Sequence, residues 1–132
     1  MYLHIINIGS DINNIGQLES ITQSIIDTFS LRQEKYPVIL IATTEAVSNA
    51  IIHGNKEQSA KEVEIYAKVT NDDLYIQVKD QGTGFDFTDL PDPTKPESIE
   101  KEGGRGILLI NELCDEYQFQ DGGSTIEMLF KK

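Results

Sequence analysis

The sequence predicts a two-layer α/β sandwich. Its C-terminal half carries two stretches of apolar/polar alternation, each folded back on itself through a tight turn. Helical periodicity precedes the first stretch and separates the two. With 132 residues, 39% hydrophobic and 25% charged, the chain suits one folded domain, residues 1–132, with a single core. Eleven Lys and Arg against 22 Asp and Glu leave a net charge of −11, which argues against a direct nucleic-acid or anionic-membrane binder.

Residues Tyr2 to Ile8 form a short Leu- and Ile-rich run, read as a strand. Ser10, Asp11, Asn13 and Asn14 then supply N-cap choices for a helix whose apolar face is Ile15, Leu18, Ile21, Ile25 and Phe29. Pro37 suits the first turn of a second helix. From Val38 to Ile52 that helix is apolar around much of its circumference, which makes it central, and Gly54 and Asn55 stop it as a C-terminal cap. Val63, Ile65, Ala67 and Val69 alternate with polar residues, Asn71-Asp72-Asp73 turns the chain, and Leu74, Ile76 and Val78 alternate back. Each strand has one apolar face, so the sheet is covered on one side. Gln81 to Gly104 is a long loop rich in Gly, Pro and acids. Ile107 to Glu116 reads as a third helix. A closing hairpin follows: Tyr117 to Gln120, a turn at Asp121-Gly122-Gly123-Ser124, and Thr125 to Phe130.

The lone cysteine, Cys114, forms neither an intrachain disulfide nor a zinc site, suits a reducing compartment and reads as a core residue. No segment is apolar for long enough to span a bilayer, and the N-terminus lacks the basic start of a signal peptide, so a cytoplasmic protein is expected.

Three segments could carry chemistry, and each has a plainer reading. Glu45 and Asn49 share one face of the second helix, a carboxylate and a carboxamide suited to a reacting hydroxyl and a hard cation; alternatively they are a solvated polar stripe. Asp80-Gln81-Gly82-Thr83-Gly84 follows directly on a strand, where an acceptor can face a pocket and the glycines admit a flat ligand; alternatively it is a simple turn. Gly103-Gly104-Arg105-Gly106 opens a helix, offering amide N–H groups, a positive dipole end and a cation to phosphate; alternatively it is a flexible loop exit. His53 reads as a cap or packing residue, and the acids from Asp86 to Glu102 as a solvated loop face. Neither a P-loop nor a dinucleotide fingerprint is present.

In this order the segments resemble the ATP-binding fold of gyrase-type ATPases, MutL and sensor histidine kinases, the Bergerat-type fold. More narrowly, the chain resembles the stand-alone anti-sigma-factor serine kinases of bacterial partner-switching systems, from about Tyr2 to Phe130. The resemblance implies a mixed, mostly antiparallel sheet with helices on one face. It implies ATP and Mg²⁺ as cofactors, with Asn49 as the Mg²⁺ ligand and Glu45 as the general base toward a substrate serine. Asp80 would accept the adenine amine, Gly82 and Gly84 would line the adenine pocket, and Thr125 would sit near the adenine. Gly104, Arg105 and Gly106 would hold the phosphates beneath a mobile lid at about 86–103. The implied activity is that of a serine/threonine protein kinase and anti-sigma factor acting on a small antagonist protein. A sigma factor is a further expected partner, and a homodimer is expected through the first helix and its neighbouring strand. The alternatives are a nucleotide-dependent protein-binding module and an ATPase without kinase output. A histidine-phosphorylating sensor would need a separate dimerisation helix, for which the chain has no room.

Overall fold

The computed structural model describes residues 2–56, 58, 60–82 and 104–131, with the backbone alone at 104–106. In chain order the elements are β1 (Leu3–Gly9), α1 (Leu18–Thr28), α2 (Tyr36–Asn49), β2 (Glu62–Thr70), β3 (Asp73–Lys79), α3 (Gly104–Leu113), β4 (Glu116–Gln120) and β5 (Thr125–Phe130). The strands make one five-stranded sheet in the order β1-β2-β3-β5-β4, and all of its described pairings are antiparallel.

The alternation seen in the sequence becomes a sheet with two unlike faces. Ala67, Ile76 and Met128 lie abreast across β2, β3 and β5, and Ile65, Val78 and Ile126 form the next row. All six are buried. Each of the five larger side chains, buried in full, contributes about 1.5–3 kcal/mol. The other face is polar and aromatic. The Lys68 ammonium sits 4.6 Å from the Tyr2 ring centre and 4.8 Å from that of Tyr75, and Lys79 lies 4.9 Å from that of Tyr66. The Tyr2 hydroxyl donates to the Glu127 carboxylate. Burial, together with that bond, raises the Tyr2 pKa above the usual phenol value.

Helix α2 packs against both α1 and α3, as its apolar circumference requires. Ile39, Ala42, Ala46 and Val47 bury into the core from it, and Pro37 stands in its first turn. The apolar repeat from Ile15 to Phe29 is not one α-helix: residues Ile12–Gln17 form a 3₁₀ helix, which hands over to α1 at Leu18. Asp11 caps that turn by accepting the Asn13 N–H at 2.9 Å. Ser10, another cap choice, is fully buried and bonds elsewhere.

The β2–β3 turn is shorter than the sequence suggests. Asn71 and Asp72 adopt φ of 55° and 69°, the left-handed pair of a two-residue hairpin turn, so Asp73 already pairs with Thr70 in the ladder. Helix α3 lies earlier than expected, starting at Gly104 and ending at Leu113. Glu116 instead opens β4, because the Asp115 N–H donates to the Leu129 carbonyl at 2.8 Å and draws the chain into the sheet. Among the described residues, no helix is long and apolar enough to cross a membrane.

Because Ile65 is fully buried and Ile41 is 42% exposed, truncation should separate them sharply. Ile65→Ala should lower unfolding free energy in urea by about 2–5 kcal/mol, and Ile41→Ala by no more than about 0.5 kcal/mol. Equal losses would contradict the one-sided packing.

Candidate functional site

Glu45 and Asn49 lie one turn apart on α2, both half-buried. The adjacent Ala46, Val47 and Ala50 are buried. Among the described residues, neither polar side chain has a hydrogen-bonding or ionic partner. A carboxylate and an amide held half-desolvated without partners are disposed to meet a ligand.

After Asn49 the helix widens. Residues Ala50–Gly54 form a π turn, and the Asn55 N–H reaches five residues back to the Ala50 carbonyl at 2.8 Å. The turn delivers Gly54 to the end of β3. A Cβ on Gly54 would stand 2.2 Å from Asp80 Oδ2 and 2.8 Å from Oδ1. A Cβ on Gly82 would stand 2.1 Å from the Gly54 carbonyl oxygen. Asp80 is therefore seated between two glycines whose missing side chains make the room.

The helix does end at Gly54 with Asn55 at its C-cap, but without a left-handed glycine. Gly54 has no left-handed φ, and Asn55 keeps φ −88° and ψ −5°; the left-handed residue is Lys56, at φ 53°. Glycine is required at 54 for close approach, not for chain reversal.

Asp80 is held at both ends. Its N–H donates to the Ser124 carbonyl at 2.8 Å, and its Oδ1 accepts the Gly82 N–H at 2.8 Å. Burial pushes the Asp80 carboxyl above the usual carboxylate range, opposed by the Gly82 N–H and by Lys61. Among the described residues Oδ2 accepts no hydrogen bond, and a half-buried acceptor of this kind can read an amine donor.

Thr125 is 2% exposed and pairs with Lys79 in the β3–β5 ladder, one residue from Asp80. Its hydroxyl donates to Asp121 Oδ2 at 3.0 Å. Gly104, Arg105 and Gly106 form the first turn of α3, whose amides have no acceptor within the helix, and α3 lies against α2. Gly84 and the expected lid at 86–103 lie outside the described residues.

Sequence reasoning missed Asn55 as more than a helix stop. It is fully buried, its Oδ1 accepts the Gln81 N–H at 2.7 Å, and its Nδ2 donates to Ser10 Oγ at 2.7 Å and to the Glu62 carbonyl at 3.0 Å. The available signal was a polar residue immediately after an apolar helix, which local rules assign to capping.

A one-sided antiparallel sheet, with an Asp-x-Gly turn at a strand end pressed onto the helix that carries Glu45 and Asn49, is a Bergerat-type ATPase fold. Residues 8–130 match the histidine kinase-like ATPase domain, and the chain belongs to that family. It is similar to the serine-protein kinase RsbW of Bacillus licheniformis, 39% identical over 95 residues. It is likewise similar to the serine-protein kinase RsbW of Staphylococcus aureus strains RF122 and MRSA252, 35% identical over 96 residues in each. These matches cover 67% of the chain and only 59–60% of the relatives' length.

The glycine contacts set a stability test. Gly54→Ala and Gly82→Ala should each lower unfolding free energy by about 1–3 kcal/mol or more through overpacking. Gly16→Ala, with open space at its Cβ, should raise it by about 0.4–1 kcal/mol. Asp80 has a raised pKa in the fold, so its contribution is most favourable below the unfolded value and is lost as pH rises through the folded one. Asp80→Asn should therefore raise the Tm of the ligand-free protein at neutral pH, the gain vanishing toward pH 4; a gain constant with pH would contradict the burial argument.

Proposed function

We propose that the chain is an ATP-dependent serine/threonine protein kinase and anti-sigma factor that phosphorylates a serine on a small antagonist protein in a partner-switching system. The observation that carries this reading is Glu45, half-buried and unpartnered among the described residues, one turn before Asn49 on the helix that ends against Asp80. Nucleotide binding alone has no use for a base at that place. The similarity to proteins named serine-protein kinases supports the same conclusion.

In this reading Asp80 accepts a hydrogen bond from the adenine amine, Gly82 and Gly84 let the backbone approach the base, and Thr125 flanks it. The first-turn amides of α3 at Gly104, Arg105 and Gly106, with the Arg105 guanidinium, bind the phosphates. Among the described residues no three His, Cys, Asp or Glu side chains gather into a metal cage. That fits Mg²⁺, which is commonly held by one or two protein oxygens and the substrate's own phosphates. Asn49 Oδ1 would be the protein oxygen, and the bound ion would neutralise phosphate charge. Glu45 takes the proton from the substrate serine Oγ as that oxygen bonds to the γ-phosphorus and the bond to the β–γ bridging oxygen breaks, releasing ADP. A chain of net charge −11 depends on such local cancellation to admit a triphosphate.

A cytoplasmic setting and a homodimer through β1 and α1 go with this reading, as does binding of an RNA-polymerase sigma factor.

Titration calorimetry with ATP, with and without Mg²⁺, tests the site. Wild-type binding should depend on Mg²⁺, weaken in Asn49→Ala and vanish in Asp80→Asn. Glu45→Gln should keep ATP binding and lose about 10²–10⁴-fold in phosphoryl transfer to the antagonist's serine. Undiminished transfer would remove Glu45 as the base. Rapid phosphate release without a protein substrate would favour an ATPase, and ATP binding without either reaction a nucleotide-dependent binding module.

A further inference from the structure

Asn55 joins the ends of two strands to the turn that bears Asp80. Both ends of its amide are engaged: Nδ2 donates to Ser10 at the end of β1 and to Glu62 at the start of β2, and Oδ1 accepts from Gln81, the residue after Asp80. The Glu62 N–H in turn donates to Gln81 Oε1 at 2.8 Å, so Asn55, Glu62 and Gln81 close a ring. Asn55 also follows Gly54, the residue in contact with the Asp80 carboxylate. Finally, Asp80 has its own N–H fixed to Ser124 on one side and the next N–H fixed to Asn55 on the other.

We infer that Asn55 is a positioning residue that fixes the Asp80 carboxylate and thereby sets discrimination between adenine and guanine nucleotides. The inference rests on the ATP reading of the site. Adenine presents an amine donor where guanine presents a carbonyl acceptor, and a carboxylate meets the first with a hydrogen bond and the second with repulsion. The penalty against guanine is large only while the carboxylate cannot turn away, since a movable group relaxes and finds other partners. Bonds to the backbone on both sides of Asp80, and a helix end pressed against it, remove that freedom. Asn55 supplies one of those bonds and anchors the helix end. Because its partners are the ends of β1 and β2, the setting of Asp80 is tied to the sheet and not only to the loop that bears it.

The test is the ratio of GTP to ATP dissociation constants, measured by calorimetry with Mg²⁺ on wild type, Asn55→Ser and Ser10→Ala. Serine at 55 is too short to reach the Gln81 N–H, and alanine at 10 removes one of the two acceptors that orient the Asn55 amide. Wild type should strongly prefer ATP. Asn55→Ser should narrow the ratio by about tenfold or more, mainly through relief of the penalty on GTP, with Mg²⁺ dependence retained. Ser10→Ala should narrow it less, and it serves as the readout if Asn55→Ser does not fold. A residue that only stabilised the fold would weaken both nucleotides together, so an unchanged ratio in the folded variants overturns this inference alone. Failure of the wild type to bind either nucleotide overturns the ATP reading and the inference with it.

Discussion

Gly54 lies flat against the carboxylate of Asp80, and most of the architecture around the candidate site follows from that contact. A helix cannot normally bring its last turn this close to a strand end, because a side chain stands in between. Here the side chain is absent at 54 and again at 82, where a Cβ would strike the Gly54 carbonyl. The π turn at Ala50–Gly54 supplies the remaining displacement. A carboxylate in such a place is disfavoured by burial and is retained at some loss of stability, a trade that marks functional positions more often than structural ones.

The sheet makes the contact reproducible. Its helix-facing side is a grid of fully buried residues, with Ile65, Ala67, Ile76 and Met128 each at 0% exposure, so strand ends have little latitude. Its open side is tied by the Lys68 and Lys79 contacts with tyrosines and by Tyr2 reaching Glu127. Helix α2 is gripped between α1 and α3 while one end meets β3. Glu45 and Asn49 therefore ride on a helix packed on two sides by its neighbours, a firm base for groups that must act at defined distances.

Patterns with a short period were legible in the sequence. The hairpins, the central helix and the side-by-side placement of Glu45 and Asn49 all follow from alternation or from four-residue spacing. The kind of helix was not legible: Ile12–Gln17 is a 3₁₀ helix within what reads as one amphipathic run, because both helix types tolerate similar apolar spacing. Nor was the purpose of Gly54, since chain reversal and close approach demand the same residue. Asn55 was opaque for a further reason: its partners lie 7 to 45 residues away, and no local rule separates a cap from a long-range pin. Thr125 pairs with Lys79 in the ladder, and its hydroxyl bond to Asp121, which no short-period pattern shows, depends on a turn with Asp121 and Gly122 at φ of 54° and 71°.

Cys114, the only cysteine, sits buried just beyond α3 and donates its thiol proton to the Ile110 carbonyl at 2.9 Å. Burial is the main cause that pushes its pKa up to about 11. At neutral pH the nucleophilic thiolate then amounts to on the order of one molecule in ten thousand. Peroxides and electrophiles act on thiolates, so the folded chain gives them almost nothing to attack. Alkylation of Cys114 would therefore report chiefly on molecules that had opened.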